Sequence, residues 1–208
     1  MSNYNELEYP KDEFGENDFP QTLVDYLVER YSFRGGQTLL DVGCGKGFYA
    51  NAFGRQGIVA SGLDTKDCDF EEDLFPAASE SYDYIFTKST LEHIANLDNV
   101  LREMGRVLKP NGLVICIVPD WHSQWKTFYD DITHKTPFTL KSLRQAFLLA
   151  DFKNVKCERF TMLRLTIEHP WLKWLPPLIR LLVPDWFKRF RVIRFSKERM
   201  LLLTATTK

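Results

Sequence analysis

Apolar positions recur along this chain with helical and strand periods in turn. From Gln21 to Tyr31 they fall at Leu23, Val24, Leu27, Val28 and Tyr31, one face of a helix. Gly35-Gly36 then precedes "TLLDVG", whose unbroken apolar start predicts a buried strand. "FYANAFGRQG" reads as a helix closed by Gly57, "IVASGLD" as a second strand and "YDYIFTK" as another. Between Asn96 and Leu108, the residues Leu97, Val100, Leu101, Met104, Val107 and Leu108 share one helical face, with Asn96 or Asp98 available as N-cap. "KPNG" predicts a turn with Gly112 at positive φ, and "LVICIVP" a strand buried on both sides. A helix from Thr139 to about Ala150 follows, then two strands, "VKCERFTMLRLTI" and "RMLLLTATT". Strands alternating with helices predict an open, mostly parallel α/β sheet. Its ligands belong beyond the carboxyl ends of the strands.

Composition narrows this picture. The 208 residues suit one domain spanning 1–208, and a formal net charge of −1 gives no reason to expect nucleic acid. The charge is unevenly spread: six acids against Lys11 in an N-terminal arm at 1–20, and eight bases against Asp185 and Glu198 in 170–199. Cys44, Cys68, Cys116 and Cys157 form no CxxC pair, so neither a zinc site nor a disulfide framework is expected. Widely spaced cysteines and a polar, acidic N-terminus predict a cytoplasmic protein. The apolar, basic stretch "HPWLKWLPPLIRLLVPDWFKRFRVIRF" has at most six consecutive uncharged residues, Trp174 to Ile179, where a span needs roughly 18–20.

The segment carrying chemistry is "LLDVGCGKG", set between a strand and a helix. Gly43, Gly45 and Gly47 permit a tight turn that backs onto helix N–H groups. A P-loop is excluded because Lys46 is followed by Gly47 rather than Ser or Thr, and the dinucleotide fingerprint fails because Phe48 stands where its last glycine belongs. The stretch resembles motif I of the class I S-adenosylmethionine-dependent methyltransferases, an acid followed by G-x-G-x-G, with Asp41 as the acid. The resemblance extends over about residues 37–119, through "SGLD", "EEDLFP" and "LEHI…RVLKPNG". It implies a Rossmann-like fold with a seven-stranded, mostly parallel sheet, the last strand antiparallel and helices on both faces. It also implies S-adenosyl-L-methionine as cofactor. The implied binding set is Asp41, Gly43, Cys44, Gly45 and Gly47 in the loop, Asp64 on the ribose hydroxyls, Asp73 and Leu74 beside the adenine, and Lys88 after the next strand. Only eight residues separate Asp64 from Asp73, so the second helix of the fold must be short or missing. "KST" at Lys88–Thr90 replaces the [DNS]PP[YFW] of nucleic-acid amino-methyltransferases, which argues against base N-methylation.

For the acceptor side, a hydroxyl nucleophile benefits from a nearby base. His93 belongs to the "EH" pair after that strand, and the polar-aromatic loop "PDWHSQWKTFYDDITHKTPFT" supplies His122, Tyr129, Asp130, Asp131 and His134. His134 is the first candidate for general base, with Asp130 or Asp131 orienting it and His93 contributing. Bracing of the loops competes with these roles. Asp130, Asp131 and His134 could also hold a divalent ion, but the expectation is no metal. The loop resembles a "D-x-T-H…P-F-T" stretch of methyltransferases associated with sugar and surface-polysaccharide biosynthesis, which implies methyl transfer to a hydroxyl of a sugar or glycan precursor. A lipid, quinone or natural-product acceptor is the alternative, as is a non-catalytic scaffold that binds only cofactor or protein. The family fold puts residues 168–196 between the last two strands as an insertion over the active-site face. There it could be a lid that buries its aromatics, a peripheral membrane patch, or a homodimer contact.

Overall fold

The structure, a computed structural model, describes residues 18–208. Nearly all of the acidic arm at 1–20 therefore lies outside the described residues. Six strands form one sheet: β1 (Thr38–Val42), β2 (Val59–Leu63), β3 (Tyr82–Lys88), β4 (Leu108–Pro119), β5 (Lys153–Phe160) and β6 (Met200–Thr206), in the order β2-β1-β3-β4-β6-β5. β1 pairs in parallel with β2 and β3, and β3 with β4; β6 runs antiparallel to both β4 and β5. The carboxyl ends of β1, β2, β3, β4 and β5 thus share one edge.

Helices α1 (Phe19–Tyr31) and α2 (Phe48–Arg55) cover one face, and α3 (Leu97–Val107) and α5 (Leu140–Leu149) the other; the short α4 (Trp121–Gln124) follows β4. Successive residues of β4 explain its unbroken apolar run. Val114, Cys116 and Val118 enter the core under α3 and α5, while Ile115 and Ile117 enter the core under α1 and α2. Side chains of a strand point alternately to the two faces, so a strand covered on both sides is apolar throughout.

Helix starts follow their side chains. Asn96 accepts a hydrogen bond from the Asp98 amide at the head of α3. Thr139 and Ser142 form a reciprocal capping box at α5, Thr139 Oγ1 accepting from the Ser142 amide and Ser142 Oγ from the Thr139 amide. Thr139→Ala removes one half of that box and is expected to cost about 1 kcal/mol, read from the urea midpoint at unchanged slope.

Three expectations change. The sheet has six strands among the described residues, not seven, because residues 64–81 form turns in place of the second helix and a third strand. The segment is dense in aspartate, and its carboxylates bind nearby backbone: Asp67 accepts from the Asp64 amide, Asp69 from Glu71, and Asp73 from Asp69. Such local bonds compete with both helix and ladder. Buried Phe70 and Phe75 pin the segment to the core, and α3 holds it from beneath, Glu103 accepting from the Phe75 amide and Asn99 donating to the carbonyls of Phe70 and Asp73. Next, "VKCERFTMLRLTI" is a strand only to Phe160; Arg164–Glu168 is the helix α6. Finally, Asn111 rather than Gly112 takes positive φ, at 60°. "KPNG" lies in an excursion of β4, whose partners on β3 jump from Leu108 to Leu113. A Cβ on Gly112 would meet the Leu108 side chain at 2.6 Å, so glycine serves here by its lack of a side chain.

The insertion leaves β5 at Phe160 and rejoins the sheet at Met200, and these two residues are direct register partners. Met200 in turn pairs with Pro119 at the carboxyl end of β4. The insertion consists of short pieces: α6, a 3-10 turn at Pro170–Leu172, α7 (Leu175–Leu182), a second turn at Asp185–Arg189, and α8 (Arg191–Lys197). Pro176 and Ser196 are buried, and Arg180 donates to the Ser196 carbonyl, tying α7 to α8. Its tryptophans are not buried: Trp171 is 71 % exposed, Trp174 57 % and Trp186 73 %.

Candidate active site

The glycine loop runs from the carboxyl end of β1 into α2. Gly43, Gly45 and Gly47 all have positive φ, a region in which side chains other than glycine are strained. The amides of Gly43 and Cys44 donate to the Leu63 carbonyl at the end of β2, so the loop is stitched to the strand that carries Asp64. A Cβ on Gly43 would lie 2.0 Å from Thr90 Oγ1, whereas one on Gly45 would meet nothing within 4 Å. One glycine is thus required by packing, and the other opens onto space.

Asp41 is the penultimate residue of β1 and is almost fully buried. Burial pushes its carboxyl up to about 7, against a hydrogen bond from the Ala50 amide and the nearby Lys88 charge. Its Oδ2 has no hydrogen-bond partner. A buried carboxylate oxygen left without a donor is costly unless a ligand donor meets it. Asp64 follows β2, half-buried, with Oδ1 accepting from the Thr65 amide. Cys44, between these acids, has its thiol pushed up to about 11, first by burial and then by Asp41 and Asp64, so it remains a neutral wall. Asp73 and Leu74 sit in the turn segment and are both exposed; the Asp73 carboxylate accepts from the Asp69 amide. Lys88, ending β3, donates to Ser89 Oγ and lies 5.5 Å from the Tyr49 ring centroid. Its charge acts on Asp41 on one side and on Glu92 on the other, lowering both carboxyls. Ser89 takes φ 52°, an uncommon conformation just where the strand turns into the site.

The acceptor side is assembled by backbone. The Glu92 carbonyl accepts from the amides of Lys135 and Thr136, and Thr136 Oγ1 donates to the Ile94 carbonyl. These bonds bring the turn Leu91–His93 against the 131–134 loop, with the His93 and His134 ring centroids 4.7 Å apart.

The proton positions follow from the acceptors present. The Thr133 hydroxyl lies 2.6 Å from Asp131 Oδ1, which as a carboxylate only accepts, so Thr133 donates. Its oxygen then accepts from His93 Nδ1–H at 2.8 Å, which leaves Nε2 as the unprotonated nitrogen of His93. His134 Nδ1–H donates to the Phe128 carbonyl at 2.5 Å, so its basic nitrogen is also Nε2, 3.8 Å from Asp131 Oδ2. The Asp131 carboxylate therefore reaches His93 through Thr133 and lies near His134 without a hydrogen bond to it. Burial, and then the neighbouring His134, hold the His93 pKa below the ordinary histidine value. Glu92 beneath them is fully buried, its carboxyl pushed up to about 8 by burial, and its Oε2 has no hydrogen-bond partner.

Ligand atoms of Glu92, His93 and His134 all lie within 4.8 Å of one another, a donor set compatible with a divalent cation. The triad considered from sequence for that role, Asp130, Asp131 and His134, is not the one the fold assembles: Asp130 is exposed, and Asp131 is turned to Thr133. Exposed His122 and Tyr129 stand on the outer side of the same loop. Sequence reasoning named His134, His93 and Asp131, with Glu92 as the first half of the "EH" pair, but missed Thr133 as part of the cluster. "DITH" contains a signal for Thr133, since a hydroxyl two residues after an aspartate commonly closes such a turn.

Comparison with known proteins agrees with this geometry. Residues 15–157 match a family model described as a methyltransferase domain. A ubiquinone biosynthesis O-methyltransferase of Sodalis glossinidius (strain morsitans) is 28% identical over 111 residues, 44% of this chain and 45% of that protein. The chain spans about half the length of the curated relatives it matches. Among solved structures, the phosphoethanolamine N-methyltransferase 2 of Haemonchus contortus superposes with a TM-score of 0.64 at 18% identity, covering 90% of this chain and 52% of that one. A S-adenosylmethionine-dependent methyltransferase of Archaeoglobus fulgidus does so with 0.61 at 21% identity, covering 90% and 94%. From its matched domain, its sheet order and its glycine loop, the chain belongs to the methyltransferase-domain family, within the class I S-adenosylmethionine-dependent methyltransferases.

Proposed function

We propose that the protein transfers a methyl group from S-adenosylmethionine to a hydroxyl oxygen of a small-molecule acceptor. The observation that carries this is the hydrogen-bonded chain Asp131–Thr133–His93, which leaves an unprotonated imidazole nitrogen at the carboxyl edge of the sheet. When bound, the cofactor supplies an electrophilic methyl on a sulfonium, and the protein need only align a nucleophile and take its proton. The cofactor fits the residues present. The partnerless Asp41 Oδ2 suits its ammonium group, the open side of Gly45 admits its backbone-facing portion, and Asp64 offers a carboxylate to vicinal hydroxyls. Cys44, Gly43 and Gly47 shape the loop, Lys88 balances the two buried acids, and Asp73 and Leu74 flank the adenine side.

In this reading His93 is the base and Thr133 with Asp131 orients it. His134, the first choice from sequence, stands beside it, its ring held by the Phe128 carbonyl. A phenolic hydroxyl of a quinone precursor is the acceptor class we favour over a sugar hydroxyl. A phenol with a pKa of about 10 is within reach of an imidazole held below its ordinary value, and an alkyl hydroxyl is far less so. The names carried by the curated relatives support the same choice. The sugar reading keeps the support of the "D-x-T-H…P-F-T" stretch.

The test is S-adenosylhomocysteine release across a panel of phenols and a panel of hexoses and nucleotide sugars. Turnover confined to phenols is expected; turnover confined to sugars reverses the choice, and cofactor binding with no turnover in either supports the scaffold alternative. In titration calorimetry, Asp64→Ala should weaken S-adenosylmethionine binding by roughly 10- to 100-fold, the worth of charge-assisted hydrogen bonds. An undiminished affinity would remove Asp64 from the site.

A further inference from the structure

The insertion exposes what a soluble helix normally hides. Trp174 at the N-cap of α7 and Leu178, Leu181 and Leu182 on it recur at helical spacing and form one stripe, and all four are exposed, Leu181 by 81 %. The opposite side of the helix, carrying buried Pro176 and the Arg180 bond to Ser196, faces the protein. Trp171 precedes the stripe and Trp186 follows it, both exposed. The exposed charges of the insertion are mostly basic. Lys173, Arg189, Arg191 and Arg194 are exposed, Arg194 being paired with Glu198, and the one exposed acid between residues 170 and 199, Asp185, is already bound to Lys197.

We propose that this face of the insertion seats the protein on an anionic lipid bilayer, the leucines and tryptophans entering the headgroup boundary and the bases meeting lipid phosphates. Amphipathic helices with Trp and Leu on one side and Lys or Arg beside them bind in this way. α7 has eight residues, about 12 Å, which reaches the interface and cannot cross it. No helix among the described residues is long and apolar enough to cross a membrane. Charge also separates this occupant from a second copy of the chain. A symmetric contact on this patch would press Lys173, Arg189 and Arg191 against their own copies, whereas a surface of phosphatidylglycerol offers them counter-charges. The inference stands on the insertion alone and does not depend on the acceptor.

Flotation of the full chain with vesicles of phosphatidylglycerol and phosphatidylcholine in equal parts, against pure phosphatidylcholine, tests it. Binding is expected to the anionic vesicles and to weaken in high salt. Leu181→Ser with Leu182→Ser, both on exposed positions, should reduce the partition coefficient by at least roughly tenfold while leaving the thermal midpoint and S-adenosylmethionine affinity unchanged. Absence of flotation with anionic vesicles overturns the proposal, as does flotation that the double variant does not reduce. Sedimentation velocity supplies the remaining outcome: a dimer that the double variant dissolves would give the patch to a second copy.

Discussion

His93→Ala is expected to lower kcat by roughly 10²–10⁴-fold, the usual contribution of a positioned base, with cofactor affinity retained. The loss alone would not distinguish a base from a brace, so the pH profile carries the argument. His93 works in its neutral form, and burial together with His134 keeps its pKa below the ordinary value of about 6.5. The acid limb of kcat/KM should therefore lie below that value in the parent protein. His134→Gln removes the neighbouring imidazole that opposes a charge on His93, so the limb should move to higher pH. Asp131→Asn removes the carboxylate that favours the charged ring, and the limb should move lower while the rate falls. Thr133→Val breaks the chain between them without changing any charge, and should lower kcat with little effect on cofactor binding. A profile that none of these substitutions displaces would mean that His93 does not titrate in catalysis.

Gly43→Ala should be the most damaging single methyl group that can be added at the cofactor loop. The residue sits at φ 79°, which costs an L-residue roughly 1–2 kcal/mol. The added Cβ would lie 2.0 Å from Thr90 Oγ1 and 2.8 Å from Thr90 Cβ, so rotating the hydroxyl away does not relieve it. Overpacking of this kind adds about 1–3 kcal/mol. A combined loss of about 3 kcal/mol corresponds to roughly 6–12 °C in Tm for a chain of this size. Thr90 also donates to the Val42 and Lys88 carbonyls, so the strain reaches the ends of both β1 and β3. Gly43→Ala with Thr90→Gly, which removes the Oγ1, Cγ2 and Cβ contacts together, should recover the packing part and leave the backbone part, giving a coupling of opposite sign to the single losses. Equal Tm values for the single and double variants would place the cost entirely in the backbone.

The elements around the site were legible because their signals are local. An apolar run covered on both faces, such as Val114–Val118, an N-cap such as Asn96, and glycines at positive φ each write their structure into adjacent residues. The loss of a strand after β2 was half legible. The short interval from Asp64 to Asp73 announced a missing helix, but the replacement of the strand by aspartate-capped turns depends on bonds that no periodicity reports. "MLRLTI" alternates like a strand and folds into a turn and the helix α6, since its apolar residues meet a neighbouring helix, Ile167 packing beside Leu23 and Leu27. At the acceptor side, sequence named ionisable residues that the fold brings together and could not order them. The choice between His93 and His134 rests on which ring a threonine hydroxyl reaches, and that is set by Glu92 accepting two amides from a loop some forty residues away along the chain.

Because Phe160 and Met200 are partners in the ladder, the insertion is a side branch on a finished sheet. Apart from its first turn and α6, whose Met162 and Ile167 are in the core, its length can change without altering the strand order or register of β4, β5 and β6. The entropy of closing such a branch grows only as the logarithm of its length, about 0.6 kcal/mol for each doubling. The fold therefore leaves this junction open to variation at little thermodynamic cost, while the glycine loop at the other end of the same edge tolerates almost none. Where the protein works and what it recognises there can drift; how it holds its cofactor cannot.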